Sequence, residues 1–130
     1  MDRPVASLLL KTAAGTAGTV CLCPPNATDK WRILAINYVP NAATSTDGTN
    51  YATVRPYTNQ GTSTPIAAAR TTNSSGGSAF TAHTAENVTL TGTPTQLEIT
   101  QADPLHVDVS HAGIGAAVDL QIQVEYEKVR

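Results

Sequence analysis

The sequence predicts an all-β chain, an antiparallel β-sandwich of jelly-roll type with about eight strands. Three observations lead there. Apolar and polar residues alternate with a period of two in several segments, helical spacing is sustained nowhere, and turn-forming residues interrupt the apolar stretches at frequent intervals. The chain of 130 residues is long enough for one domain and too short for two. It divides into residues 1–16, read either as an N-terminal arm or as a first strand, and residues 17–130, the jelly-roll domain.

Taken in chain order, Met1 to Lys11 holds one apolar cluster, Val5, Leu8, Leu9 and Leu10. These residues either anchor an arm on a partner or belong to the first strand. Val20 to Cys23 is a short strand that stops at Pro24-Pro25. Trp31 to Val39 is apolar at Ile33, Leu34, Ile36 and Tyr38, so both faces look covered and the segment reads as a central strand ending at Pro40. Asn41 to Asn50 is a connection with an Asp47-Gly48 turn. Tyr51 to Tyr57 follows as a strand, and Pro56, which lacks a ladder donor, puts it or its end at an edge.

Ile66 to Arg70, Ala79 to His83 and Val88 to Thr91 are weak short strands. Thr58 to Ser78 as a whole is rich in Thr, Ser, Asn and Gly and is expected to be an exposed loop or a docking arm. Leu97 and Ile99 alternate with Gln96, Glu98 and Thr100. Leu105, Val107 and Val109 alternate with His106, Asp108 and Ser110. The longest alternation runs from Val118 to Glu127, and Gly113 and Gly115 supply permissive backbone for a hairpin joining these last two strands.

Composition bounds the function. The apolar fraction is 41 %, but 19 alanines and 20 threonines make the side chains small. Each fully buried Leu, Ile or Val returns only about 1.5–3 kcal/mol, so a light core needs backbone pairing, small-residue packing and a partner surface. An oligomer or docked subunit is therefore expected. Charged residues are 14 % with a net charge of -2, and the eight Lys and Arg are scattered, which argues against direct nucleic-acid binding. No signal peptide or membrane span fits the N-terminal stretch, so the protein is expected to be soluble, with no membrane partner.

Candidate chemistry is sparse. Cys21-Leu22-Cys23 is half of a zinc pattern without a second half, and buried or half-buried reduced thiols are the better expectation. His106, Asp108 and His111 are the densest group of proton-transferring side chains. If the final hairpin pairs, Asp108 approaches Asp119 across the strands, so His106, Asp108 and Asp119 form a candidate cation or polar contact, with a polar outer face as the plainer reading. Asp47-Gly48-Thr49-Asn50 is a turn, since it lacks the graded acidic ligands of a calcium loop. No nucleophile motif, phosphate-cradling glycine loop or His-x-x-x-His spacing accompanies these residues, and neither a catalytic residue, a metal nor a cofactor is assigned. Trp31 and Tyr38 read as core rather than as a sugar platform.

The stretch Trp31 to Pro40, the Ala/Thr-rich connection into Asp47-Gly48-Thr49-Asn50-Tyr51, and the closing segment Leu105 to Tyr126 resemble small jelly-roll virion proteins of tailed bacteriophages, nearest to head decoration (cement) proteins. The likeness runs from about Val20 onward and is one of style and strand order. It implies a structural subunit, not an enzyme, made in the host cytoplasm and added to the outer capsid surface. Its implied partners are the major capsid protein, whose subunits it bridges, and copies of itself in a homotrimer. Phage fibre heads and receptor- or carbohydrate-binding modules share the fold and are the alternative.

Overall fold

The computed structural model describes residues 4–58 and 64–129. Met1 to Arg3 of the expected arm, and residues 59–63 of the expected Thr58 to Ser78 loop, lie outside the described residues. Ten strands form among the described residues: β1 (Val5–Thr12), β2 (Gly18–Leu22), β3 (Lys30–Pro40), β4 (Tyr51–Thr58), β5 (Thr64–Pro65), β6 (Arg70–Thr71), β7 (Glu86–Asn87), β8 (Glu98–Thr100), β9 (Leu105–Ala112) and β10 (Val118–Val129). No α-helix occurs among the described residues.

The pairing pattern is that of one long antiparallel ribbon wrapped on itself. The first half of the chain pairs with the second in reverse order: β1 with β10, β2 with β9, β3 with β7 and β8, β4 with β5 and β6. Wrapping brings β10 against β3 and β9 against β4, which closes two sheets in the orders β1-β10-β3-β7 and β2-β9-β4-β5. The predicted antiparallel sandwich of jelly-roll type is therefore the fold. The last lateral position in each sheet is shared by two very short strands, so eight lateral positions are filled by ten strands.

Alternation places the core. Leu105, Val107 and Val109 of β9 face Val118, Leu120, Ile122 and Val124 of β10 across the layers, and Ile33, Ile36, Tyr38, Val54, Ile66, Phe80 and Ile99 complete it. Threonine takes part in this small core because its hydroxyl can be paid in backbone bonds. Thr58 Oγ1 donates to Gln96 O at 2.6 Å, Thr44 Oγ1 donates to Ala117 O at 2.8 Å, and Thr72 Oγ1 accepts from Ala52 N at 3.1 Å.

Several elements differ from the sequence reading, each for a physical reason. β9 and β10 do not form a hairpin: they belong to opposite sheets, and His111 to Ala117 is a corner between layers. Gly113 and Gly115 serve that corner with φ of 60° and 74°, and a Cβ on Gly115 would collide with the His111 ring and the Gly15 amide. β3 lies inside its sheet as expected, but its apparent two-faced apolarity comes from a bulge. The register with β10 slips so that Glu125 faces Ala35 and Tyr126 faces Ile33, leaving Leu34 as the extra residue that swaps the inward phase from Trp31 and Ile33 to Ile36 and Tyr38.

Pro56 sits inside β4, opposite Val107. Its carbonyl accepts from Ile66 N at 3.1 Å, so its donorless nitrogen faces the gap between β5 and β6, where the ladder is interrupted. Ile66 to Arg70 is thus split into that gap rather than forming one strand. Ala79 to His83 and Val88 to Thr91 contribute only the isolated bridges Phe80 to Thr44 and Leu90 to Ala67. Leu97 ends a 3-10 turn, Pro94–Leu97, and only Glu98 onward is extended.

Candidate functional site

The outer faces and the two lateral edges hold the residues singled out by sequence. On β1, alternation splits the four proposed anchors. Leu10 is 2 % exposed and Leu8 packs against the core, whereas Val5 and Leu9 point outward at 61 % and 60 % exposure. β1 is the lateral end of its sheet. Tyr126 N donates to Pro4 O at 3.1 Å, so the even-numbered residues of β1 turn their backbone groups to β10, and those of Val5, Ser7, Leu9 and Lys11 turn to the unpaired side.

One more exposed aliphatic belongs with them. Ile114, 75 % exposed at the tip of the β9–β10 corner, lies beside the β1–β2 turn: its carbonyl would be the nearest neighbour of a Cβ on Gly15. Asn50 Oδ1 accepts from Ile114 N at 2.9 Å and fixes the tip. Among the described residues the exposed large hydrophobics are these three, Val5, Leu9 and Ile114. Sequence reasoning missed Ile114, although an isoleucine flanked by Gly113 and Gly115 in a turn is an apolar side chain with nowhere to be buried.

The outer face of the β1 sheet carries an uncharged row at its centre. Ser7, Gln123, Asn37 and Asn87 stand in register across four strands, and Asn87 Nδ2 donates to Asn37 Oδ1 at 3.3 Å. Asp119 is on this face too, held by Asn41 Nδ2 at 2.9 Å and paired with Lys11 Nζ at 3.9 Å.

His106 and Asp108 are on the outer face of the other sheet, so the expected approach of Asp108 to Asp119 does not occur: the two strands pair with different neighbours in different layers. His106 Nδ1 donates to Asp108 Oδ1 at 3.1 Å, and the Tyr57 ring stacks on His106 with centroids 5.3 Å apart. Cys21 lies opposite His106 in register. Both cysteines are free and exposed, not buried or half-buried as expected: Cys21 is on the solvent-facing outer side of the lateral strand β2, and Cys23 lies just past its end. Partial burial first, then the Asp108 carboxylate and Cys23, push the Cys21 thiol above its ordinary pKa. It is therefore held in the weakly nucleophilic protonated form. Among the described residues no group of three or more His, Cys, Asp or Glu is placed to hold a metal ion.

His111 separates from this pair. Its Nδ1 accepts from Ala116 N at 3.4 Å, which makes Nε2 the protonated nitrogen that donates to Thr16 O at 2.8 Å, tying the corner to the β1–β2 turn. Asp47 is a turn residue as expected: its Oδ1 accepts from Thr49 N at 2.7 Å and Asn50 N at 2.8 Å, and these bonds lower its pKa. Trp31 is 7 % exposed and stacks beneath Tyr126 with centroids 4.1 Å apart, so it offers no open ring to a sugar.

The opposite lateral edge is built differently. Arg70 of β6 crosses to Glu86 of β7 in the other sheet, with Nε and Nη2 donating to the two carboxylate oxygens at 2.6 and 3.0 Å. The same guanidinium donates to the carbonyls of Thr71, Ser78 and Ala79 and lies 4.3 Å over the Phe80 ring. Beside this clamp is a cleft of about 190 Å³ lined by Tyr38, residues 67–70 and residues 86–89.

Compared with known proteins, the chain matches no family model and no curated protein sequence.

Proposed function

We propose that this chain is a structural virion protein, a capsid decoration or cement subunit that bridges neighbouring major capsid protein subunits on the outside of a phage head. The observation that carries this reading is the exposed pair Val5 and Leu9 on the lateral strand β1, whose odd-numbered residues also keep unpaired backbone groups, with the exposed Ile114 beside the β1–β2 turn. An edge of that kind is an unfinished surface, completed by a partner strand or an apolar seat. The uncharged row Ser7, Gln123, Asn37 and Asn87 beside it suits broad contacts made through short polar side chains. In a homotrimer the edge of one copy meets a different surface of the next, since a three-fold ring is built from heterologous contacts.

The direct test is mass spectrometry of purified particles of the phage that carries the chain, with electron microscopy of particles to which the protein is added. Regular copy number and added density on the outer shell are expected. Absence from the particle would overturn the reading, and density confined to the tail tip would replace it with the fibre or receptor-binding alternative.

A further inference from the structure

The edge strand β1 and the corner that carries Ile114 are complementary in shape and charge. Val5, Ser7, Leu9 and Lys11 share the outward phase of β1, so Leu9 and Lys11 stand two residues apart, about 7 Å, on one side of the strand. The Lys11 side chain is 71 % exposed and meets Asp119 only at 3.9 Å. An exposed ion pair of that kind contributes little, and a better-placed carboxylate can replace it.

The receiving surface is an open groove of about 380 Å³ between the Asn41 to Asn50 connection and the β9–β10 corner, with Ala43, Ser45, Asp47, Ile114 and Ala116 in its lining. It sets a carboxylate near an exposed aliphatic. Asp47 is fully exposed and is kept ionised by the Thr49 and Asn50 amides on its Oδ1. Among the described residues no cation pairs with it. Asn50 joins the two sites, its amide donating to Asp47 and its Oδ1 accepting from Ile114 N at 2.9 Å. The backbone groups of Ser45 and Thr46 lie outside any strand and make no hydrogen bond among the described residues. They are therefore open to the outward-facing backbone groups of an edge strand, and the alanines let that strand come close.

We propose that β1 of one copy lies in this groove of the next copy, with Lys11 on Asp47 and Leu9 against Ile114. This contact rests on the homotrimer proposed above and gives that ring its second surface. Groove and edge are neighbours, since Ile114 lies beside the β1–β2 turn. A heterologous contact between neighbouring surfaces turns successive copies toward a closed ring, whereas surfaces at opposite ends build a filament.

Sedimentation equilibrium of the full-length chain compares the parent with Lys11→Gln, Asp47→Asn and the double variant. Asp47→Asn keeps the Oδ1 acceptor of the turn and removes the charge. Each single substitution should weaken each contact about 2- to 5-fold, multiplied over the three contacts of the ring. The double variant should associate no more weakly than the weaker single, because both changes remove the same pair. Losses that multiply in the double would overturn the Lys11–Asp47 contact. In a mixture of isotopically light and heavy chains, a carbodiimide should join the Lys11 amine of one copy to the Asp47 carboxyl of another as an amide, the reagent taking up the water released. A parent trimer whose cross-links between copies leave out Asp47 would overturn the contact as well. A parent that stays monomeric and still adds to capsids would overturn it while leaving the capsid reading in place. The cross-linked trimer, found in a chain absent from phage particles, would support the contact and overturn the capsid reading.

Discussion

The two lateral edges of the sandwich solve the same problem in opposite ways. At one, β5, β6 and β7 are two residues long and β8 three, Pro56 aims its donorless nitrogen into a gap, and Arg70 binds the sheets together. Such an edge offers no continuous template for another strand. At the other, β1 runs for eight residues without proline, carries Val5 and Leu9 outward, and has Lys11 as its charged residue. The protected edge shows that this sequence has the devices for blocking strand addition. Of these devices β1 carries Lys11 alone, and the proposed function takes its side as the one that a partner covers.

The contrast can be broken by substitution, and the largest effect is expected within β1 itself. Leu10→Ala empties a fully buried site and should cost about 3–4 kcal/mol. Leu9→Ala, one residue away but outward, should stay within about 0.5 kcal/mol for the isolated chain. Urea unfolding of the two variants compares them directly, and similar losses would remove the distinction between inner and outer anchors. At the protected edge, Arg70→Ala strands Glu86 and three carbonyls and loosens Phe80. The pair is partly exposed, with side chains at 18 % and 29 %, which discounts the penalty for a broken buried pair to about 2–3 kcal/mol.

Smaller effects sharpen the picture. Tyr38→Phe should raise stability by about 1 kcal/mol, since it removes an unsatisfied buried hydroxyl, and thermal unfolding reads the sign. Asp47 sets the smallest effect. Its folded-state pKa is lowered, so its contribution is present above the ordinary aspartate value of about 3.9 and is lost as pH falls through the folded-state value. Acid titrations of the unfolding midpoint should show the parent ahead of Asp47→Asn at pH about 5, with the gap closing below pH about 4.

Much of this architecture is legible in the residues. The alternations in β9 and β10 fix which side chains face inward, and Pro24, Pro40 and the Asp47 turn mark element ends. What stays hidden is pairing and phase. Gly113 and Gly115 suit a hairpin and a corner between sheets equally well, so the local sequence cannot decide whether Asp108 meets Asp119. Leu34 looks like coverage of a second face until the bulge is seen. The run Leu8-Leu9-Leu10 conceals that one of the three points to solvent. The cleft has no sequence signature, because Ala67-Ala68-Ala69 carries no period and Tyr38 reads as an ordinary core residue.

The central claim is that the β1 edge is the docking side, and sedimentation equilibrium of the parent chain against Leu9→Glu tests it most directly. The parent should associate with rising concentration toward a trimer, and Leu9→Glu should remain a monomer whose unfolding midpoint matches that of the parent at concentrations low enough to keep the parent dissociated. A parent chain that stays monomeric throughout, or an assembly indifferent to Leu9→Glu, would contradict it.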